Sequence, residues 1–185
     1  MSKINYIQSL FRIFIFFTLG ALFLGCGGSS PNTPNLPVTK QFRFEGVNLE
    51  LTWLHNPTII YHTAEEIENL LNEKIAKILI EKRLLTDDEN ANILDINASY
   101  FRRFMGDETP LKADSLGYPF FGYNIKVLDD NQTILREIHR ESLRFNGGFV
   151  MNVKALAGQL RDKEDELPFI DAFANTIVQS IEKIK

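Results

Sequence analysis

Residues 41–53 read Gln41-Phe42-Arg43-Phe44-Glu45-Gly46-Val47-Asn48-Leu49-Glu50-Leu51-Thr52-Trp53. Apolar side chains fall on even positions at Phe42 and Phe44, then on odd positions at Val47, Leu49, Leu51 and Trp53. Strand side chains alternate between two faces, so a change of parity would turn half of this run away from the core. One extra residue at Glu45-Gly46 restores a continuous apolar face, and the stretch therefore predicts a single strand with a bulge or tight kink at Gly46. His55-Asn56-Pro57 ends it.

Thr63 then opens a helix. Glu66 lies three residues on, the spacing of a capping box, and Ile67, Leu70, Leu71, Ile75, Ile78 and Leu79 recur at three and four. Glu65, Glu66 and Glu68 sit at the positive end of the helix dipole, and Lys82 and Arg83 at the negative end. A second strand is expected from about Asn92 to Met105, with Leu94, Ile96, Ala98, Tyr100 and Phe104 on one face and Asp95, Asn97, Ser99 and Arg103 on the other. A loop over 106–117 leads to a third strand, Tyr118 to Leu128. The polar turn Asp129-Asp130-Asn131-Gln132 joins it as a hairpin to a charged fourth strand, Thr133 to Phe145. A short helix is expected over about 152–161. Asp162 to Glu166 reads as a solvated acidic linker, and Pro168 suits the first turn of a last helix carrying Ile170, Phe173, Ala174, Ile177, Val178 and Ile181. The order is β-α-β-β-β-α. It predicts a two-layer α+β domain, with helices on one face of a mainly antiparallel sheet of about four strands.

The 185 residues are 44% hydrophobic and include 15 Phe, enough for one packed domain. Lys3 and Arg12 are the only charges before Cys26. Beyond them 18 basic residues face 24 acidic ones, a balance of −6 that offers no bulk attraction for nucleic acid or anionic headgroups. A single Cys leaves no internal disulfide and no multi-cysteine metal site.

The first 25 residues form a secretory signal: a basic start, then the uncharged run Ile13 to Leu24. That run is short for a permanent span, which takes about 20 apolar residues to cross the hydrocarbon. Leu22-Phe23-Leu24-Gly25-Cys26 resembles the lipobox of bacterial lipoproteins, departing from it at Phe23, where Leu is usual. The resemblance implies cleavage after Gly25, acyl chains on Cys26 and a membrane anchor. By the same resemblance, Gly27 after the Cys, in place of Asp, implies the outer membrane. The other readings are an ordinary signal with an incidental Cys and an uncleaved anchor helix. Residues 26–40, with Pro31, Pro34 and Pro37 at every third position, then form a spacer between the lipid and a single domain at 41–185.

Chemistry is sparse. His55, His62 and His139 are not spaced as metal ligands on a helix; His55 and His62 are expected to satisfy local backbone groups. No Gly-x-Ser-x-Gly elbow and no phosphate-binding Gly loop is present, and Ser142 and His139 should lie on opposite strand faces. No catalytic, cofactor or metal site is therefore expected. On strand four Arg136, Arg140 and Arg144 are expected on one face, with Arg102 and Arg103 adding to them from strand two. Such a row could hold an anionic headgroup or glycan, or pair with acids across the sheet. Asp129-Asp130-Asn131-Gln132-Thr133 and Asp95-Ile96-Asn97-Ala98-Ser99 resemble the extended sequon of bacterial N-glycosylation, which implies acceptors at Asn131 and Asn97. The expectation is a lipid-anchored envelope protein with a non-enzymatic binding or assembly domain, an envelope protein as its partner, and no nucleic acid. The alternatives are a carrier of an acyl chain or glycan and an envelope hydrolase.

Overall fold

A computed structural model describes residues 36–145 and 148–184; Cys26, the expected signal and most of the expected spacer lie outside them. The elements are β1 (Phe42–Thr52), α1 (Ala64–Glu81), β2 (Asn92–Phe101), β3 (Phe120–Leu128), β4 (Ile134–Arg144), α2 (Gly148–Leu156), a 3-10 turn (Lys163–Glu166) and α3 (Leu167–Glu182). The strands lie in the order β1-β2-β3-β4. β1 and β2 are parallel, because the chain between them returns through α1, and the remaining pairs are antiparallel. The domain is α+β with the expected element order.

The kink in β1 is a bulge. Phe44 pairs with Leu94 and Val47 with Ile96, so Glu45 and Gly46 together face Asp95. Gly46 takes φ +134°, a backbone region closed to residues with a Cβ, and this is why Gly stands there. The bulge keeps Phe42, Val47 and their neighbours on the helix side. Trp53, expected on the same face, lies beyond the strand end and is 42% exposed, its indole N–H donating to Asn56 Oδ1 at 2.9 Å.

α1 starts as its cap predicts: Glu66 N–H donates to Thr63 Oγ1 at 3.2 Å and Thr63 N–H to Glu66 Oε2 at 2.8 Å. Ile67, Leu71, Ile75 and Leu79 are buried against the sheet side. α1 lies against β1 and α3, and α3 also meets β3. The interface is filled: Ile96, Ile125 and Ile177 are at 0% exposure, and the Phe121 and Phe173 rings stack at 4.5 Å. Each such side chain contributes about 1.5–3 kcal/mol on burial. α1 also covers the free edge of β1, where Val47 N–H donates to Asn72 Oδ1 at 2.7 Å and Leu49 N–H to Glu68 Oε2 at 2.9 Å.

Three expectations are corrected. The second strand ends at Phe101, not Met105, and the chain then turns through Gly106 at φ +79°. The short helix lies at Gly148–Leu156, four residues earlier than expected. Gly158 at φ +64° ends it in a Schellman turn, with Gln159 N–H on Lys154 O and Gly158 N–H on Ala155 O. The acidic segment is no solvated linker, since Glu166 at its end is wholly buried.

Candidate functional site

Alternation along the strands turns Leu94, Ile96, Ala98 and Tyr100 of β2 toward the helices and Asp95, Asn97, Ser99 and Phe101 the other way. That second face carries Asn48 and Glu50 from β1 and Gly122 and Asn124 from β3. Around these positions its side chains are exposed or half-buried and mostly polar, whereas the paired Ile93 and Leu128 at the far end are buried. Across its middle, Asn48 Nδ2 donates to Asn97 Oδ1 at 3.5 Å, and Asn124 Nδ2 donates to Glu137 Oε1 at 2.9 Å.

Toward the end of β2 the face is indented. Phe121 pairs with Leu143 and Tyr123 with Arg140, so Glu141 and Ser142 both stand opposite Gly122 in a second bulge, with Ser142 at φ +55°. A Cβ on Gly122 would lie 2.5 Å from Ser99 Oγ and 3.3 Å from the Arg140 carbonyl, so any larger residue would displace the Ser99 hydroxyl and fill the floor. The result is an open cleft of about 360 Å³ lined by Ser99, Phe101, Phe120, Gly122, Glu141 and Ser142. The Phe101 and Phe120 rings stack near-parallel, with centroids 6.3 Å apart and planes 16° from parallel. The guanidinium carbons of Arg144 and Arg103 lie 4.7 and 5.1 Å from the Phe120 ring centroid.

The expected arginine row is therefore broken. Arg136 pairs with Val127 and Arg140 with Tyr123, on the helix side, and the bulge at Ser142 returns Arg144 to the open face opposite Phe120. Arg103 joins Arg144; Arg102 does not. Arg102 shares the inward parity of Leu94 to Tyr100, a signal present in the sequence. Its Nε donates to Glu166 Oε1 at 2.7 Å and its Nη2 to Glu166 Oε2 at 3.0 Å and to the His62 carbonyl at 2.5 Å, all buried. No residue type announces the bulge at Ser142. Asn131 is exposed in the β3–β4 turn, its N–H donating to Asp129 Oδ1, whereas Asn97 sits in mid-strand with its amide donating to Asp95.

The histidines bind carboxylates instead of backbone. His55 Nδ1 lies 2.7 Å from Asp107 Oδ1 and its Nε2 3.5 Å from Asp114 Oδ1; His62 Nδ1 lies 3.2 Å from Glu166, and His139 Nε2 2.8 Å from Glu141. The hydroxyl and amide of Thr58 hold the Asp114 carboxyl below its ordinary range. Burial pushes the Tyr61 hydroxyl up to about 12, and it donates to the carbonyls of Asp114 and Leu160 at 2.7 and 3.1 Å. These contacts knit segments 53–63, 102–119 and 157–166 at one end of the sheet. Among the described residues no cluster of His, Cys, Asp and Glu is placed to hold a metal. On α2, Val150, Val153 and Leu156 form an exposed apolar stripe.

Compared with family models, curated proteins and solved structures, the chain gives no significant match.

Proposed function

We propose that this protein is a lipid-anchored component of the bacterial envelope, tethered at the outer membrane through acyl chains on Cys26, and that its domain binds a partner without catalysis. The observation that carries the binding role is the open sheet face with its aromatic-walled cleft. A polar sheet face exposed on one side while the other is fully packed is a surface available for recognition. The tether enters β1 at Phe42 and the cleft lies beside Thr52, roughly 30 Å further along the sheet at about 3.3 Å per residue.

The filled interface between sheet and helices favours this surface over an acyl chain held inside. His55 Nδ1 is held by Asp107 at 2.7 Å, and its Nε2, which makes no hydrogen bond, faces the Asp114 carboxylate at 3.5 Å, an acid and not a nucleophile, which favours a bracing role over that of a base beside a nucleophile. The apolar stripe of α2 supports a second contact, with an envelope protein.

Two measurements test the reading. Labelled palmitate should enter the wild type and not Cys26→Ser; labelled Cys26→Ser would remove the anchor. A photo-crosslinking residue placed at Glu50, on the open face, should trap a partner in the native envelope, and one at Glu73, exposed on α1, should not. Adducts from Glu73 alone would move the binding surface to the helices.

A further inference from the structure

We propose that the cleft floored by Gly122 binds a sugar ring bearing a carboxylate, as one residue of an acidic glycan; this rests on the open face being the binding surface.

The two walls of the cleft differ in chemistry. Phe101 and Phe120, stacked with their planes 16° apart, make an apolar aromatic wall, and the guanidinium of Arg144 lies over the Phe120 ring at its edge of the cleft. A pyranose has an apolar C–H face that packs against such aromatic side chains, and its ring hydroxyls project outward from the edge. Beside the aromatic wall stand the hydroxyls of Ser99 and Ser142, able to donate to and accept from those hydroxyls, and the carboxylate of Glu141, an acceptor that His139 Nε2 holds at 2.8 Å. Gly122 leaves the floor bare between them. The cleft, at about 360 Å³, is within the range of small-ligand sites, roughly 300–1,000 Å³.

Charge selects the acid. Arg103 is paired with Glu108 at 2.8 Å, whereas among the described residues no carboxylate pairs with Arg144. A carboxylate on a ring stacked against Phe120 would supply that partner through a charge-assisted hydrogen bond. The acidity of the domain as a whole makes this a contact attraction, not a long-range one. Ser142 adds an independent sign. At φ +55° a serine is strained where glycine would not be, and the strain places a hydroxyl at the rim of the cleft.

Calorimetry and saturation-transfer NMR on the full chain in a sugar-free zwitterionic detergent would test this with tetragalacturonate, galacturonate and neutral maltotetraose. Tetragalacturonate should bind roughly tenfold or more tightly than maltotetraose, the value of one charge-assisted bond. Arg144→Gln should abolish that preference and Phe120→Leu should weaken both oligomers. Ser142→Gly should weaken both while melting at or above the wild-type temperature, which separates a binding role from a structural one. Equal affinity for the free acid and the tetramer would assign the same chemistry to a soluble sugar acid. Failure of both oligomers to bind, an acid preference that survives Arg144→Gln, or full binding by Ser142→Gly would overturn the proposal. If crosslinks from Glu50 persist in that case, only the ligand class fails; if they are also lost, the open-face reading fails with it.

Discussion

Arg102 and Glu166, 64 residues apart, meet in a buried two-pronged ion pair with Nε–Oε1 at 2.7 Å and Nη2–Oε2 at 3.0 Å. The pair ties the end of β2 to the start of α3, and the Tyr61 ring covers it with its centroid 5.6 Å from the guanidinium carbon. The same low-dielectric setting that strengthens the pair penalises either member alone. Burial and the adjacent Glu166 also push the Tyr100 hydroxyl well above its ordinary range, so it remains a neutral neighbour.

Glu166→Ala should therefore destabilise the fold by about 3–5 kcal/mol, because it strands a buried guanidinium. Arg102→Met with Glu166→Leu should recover most of that loss. Urea unfolding measures both; a cost under about 1 kcal/mol for the single variant would mean that water reaches the arginine freely.

Asn72 acts on the backbone of another element. Asn72→Leu leaves the Val47 N–H without its acceptor on the half-covered edge of β1 and should cost about 1–3 kcal/mol. Hydrogen exchange at Val47 should accelerate, and Asn72→Asp, which keeps an acceptor oxygen, should retain protection. Unchanged exchange in Asn72→Leu would show that another group covers the edge.

Acid should weaken the start of α1. The Lys163 ammonium, followed by the Thr63 amide, holds the Glu66 carboxyl at about 2, below its ordinary 4.5. Between those values the folded state binds fewer protons than the unfolded one, so the contribution is complete above about pH 4.5 and is lost as pH falls toward 2. Melting temperatures of wild type and Glu66→Gln should converge over that window, and Lys163→Met should narrow the gap at neutral pH. A gap independent of pH would assign the effect to the cap geometry alone.

Much of the fold was legible because its signals are local. The parity change at Glu45-Gly46 marked the bulge in β1, Thr63 and Glu66 marked the helix start, and the Asp129–Gln132 turn marked the hairpin. Each depends on residues within a few positions of one another, where alternation, capping and turn chemistry act directly. Gly158 carried an equally local signal for the end of α2 that the apolar spacing over 152–161 obscured.

The site was less legible. Parity was enough to turn Arg102 inward, but not to name Glu166 as its partner, because an acidic residue among others shows nothing of its burial until α3 docks. The arginine row failed for a related reason. Alternation holds only while each residue of β4 meets one of β3, and the doubled pairing at Gly122 is a property of two strands together.

The amino-acid sequence by itself determined the order of elements, the apolar face of each and the α+β class, since these follow from periodicity along one chain. Tertiary structure alone decided that Glu166 is buried against Arg102, that Arg144 joins Arg103 while Arg136 and Arg140 do not, and that Phe101, Phe120, Gly122 and Ser142 line a cleft. Those relations are set by the register between strands and by the docking of distant segments, where burial and desolvation act on pairs that no local pattern contains.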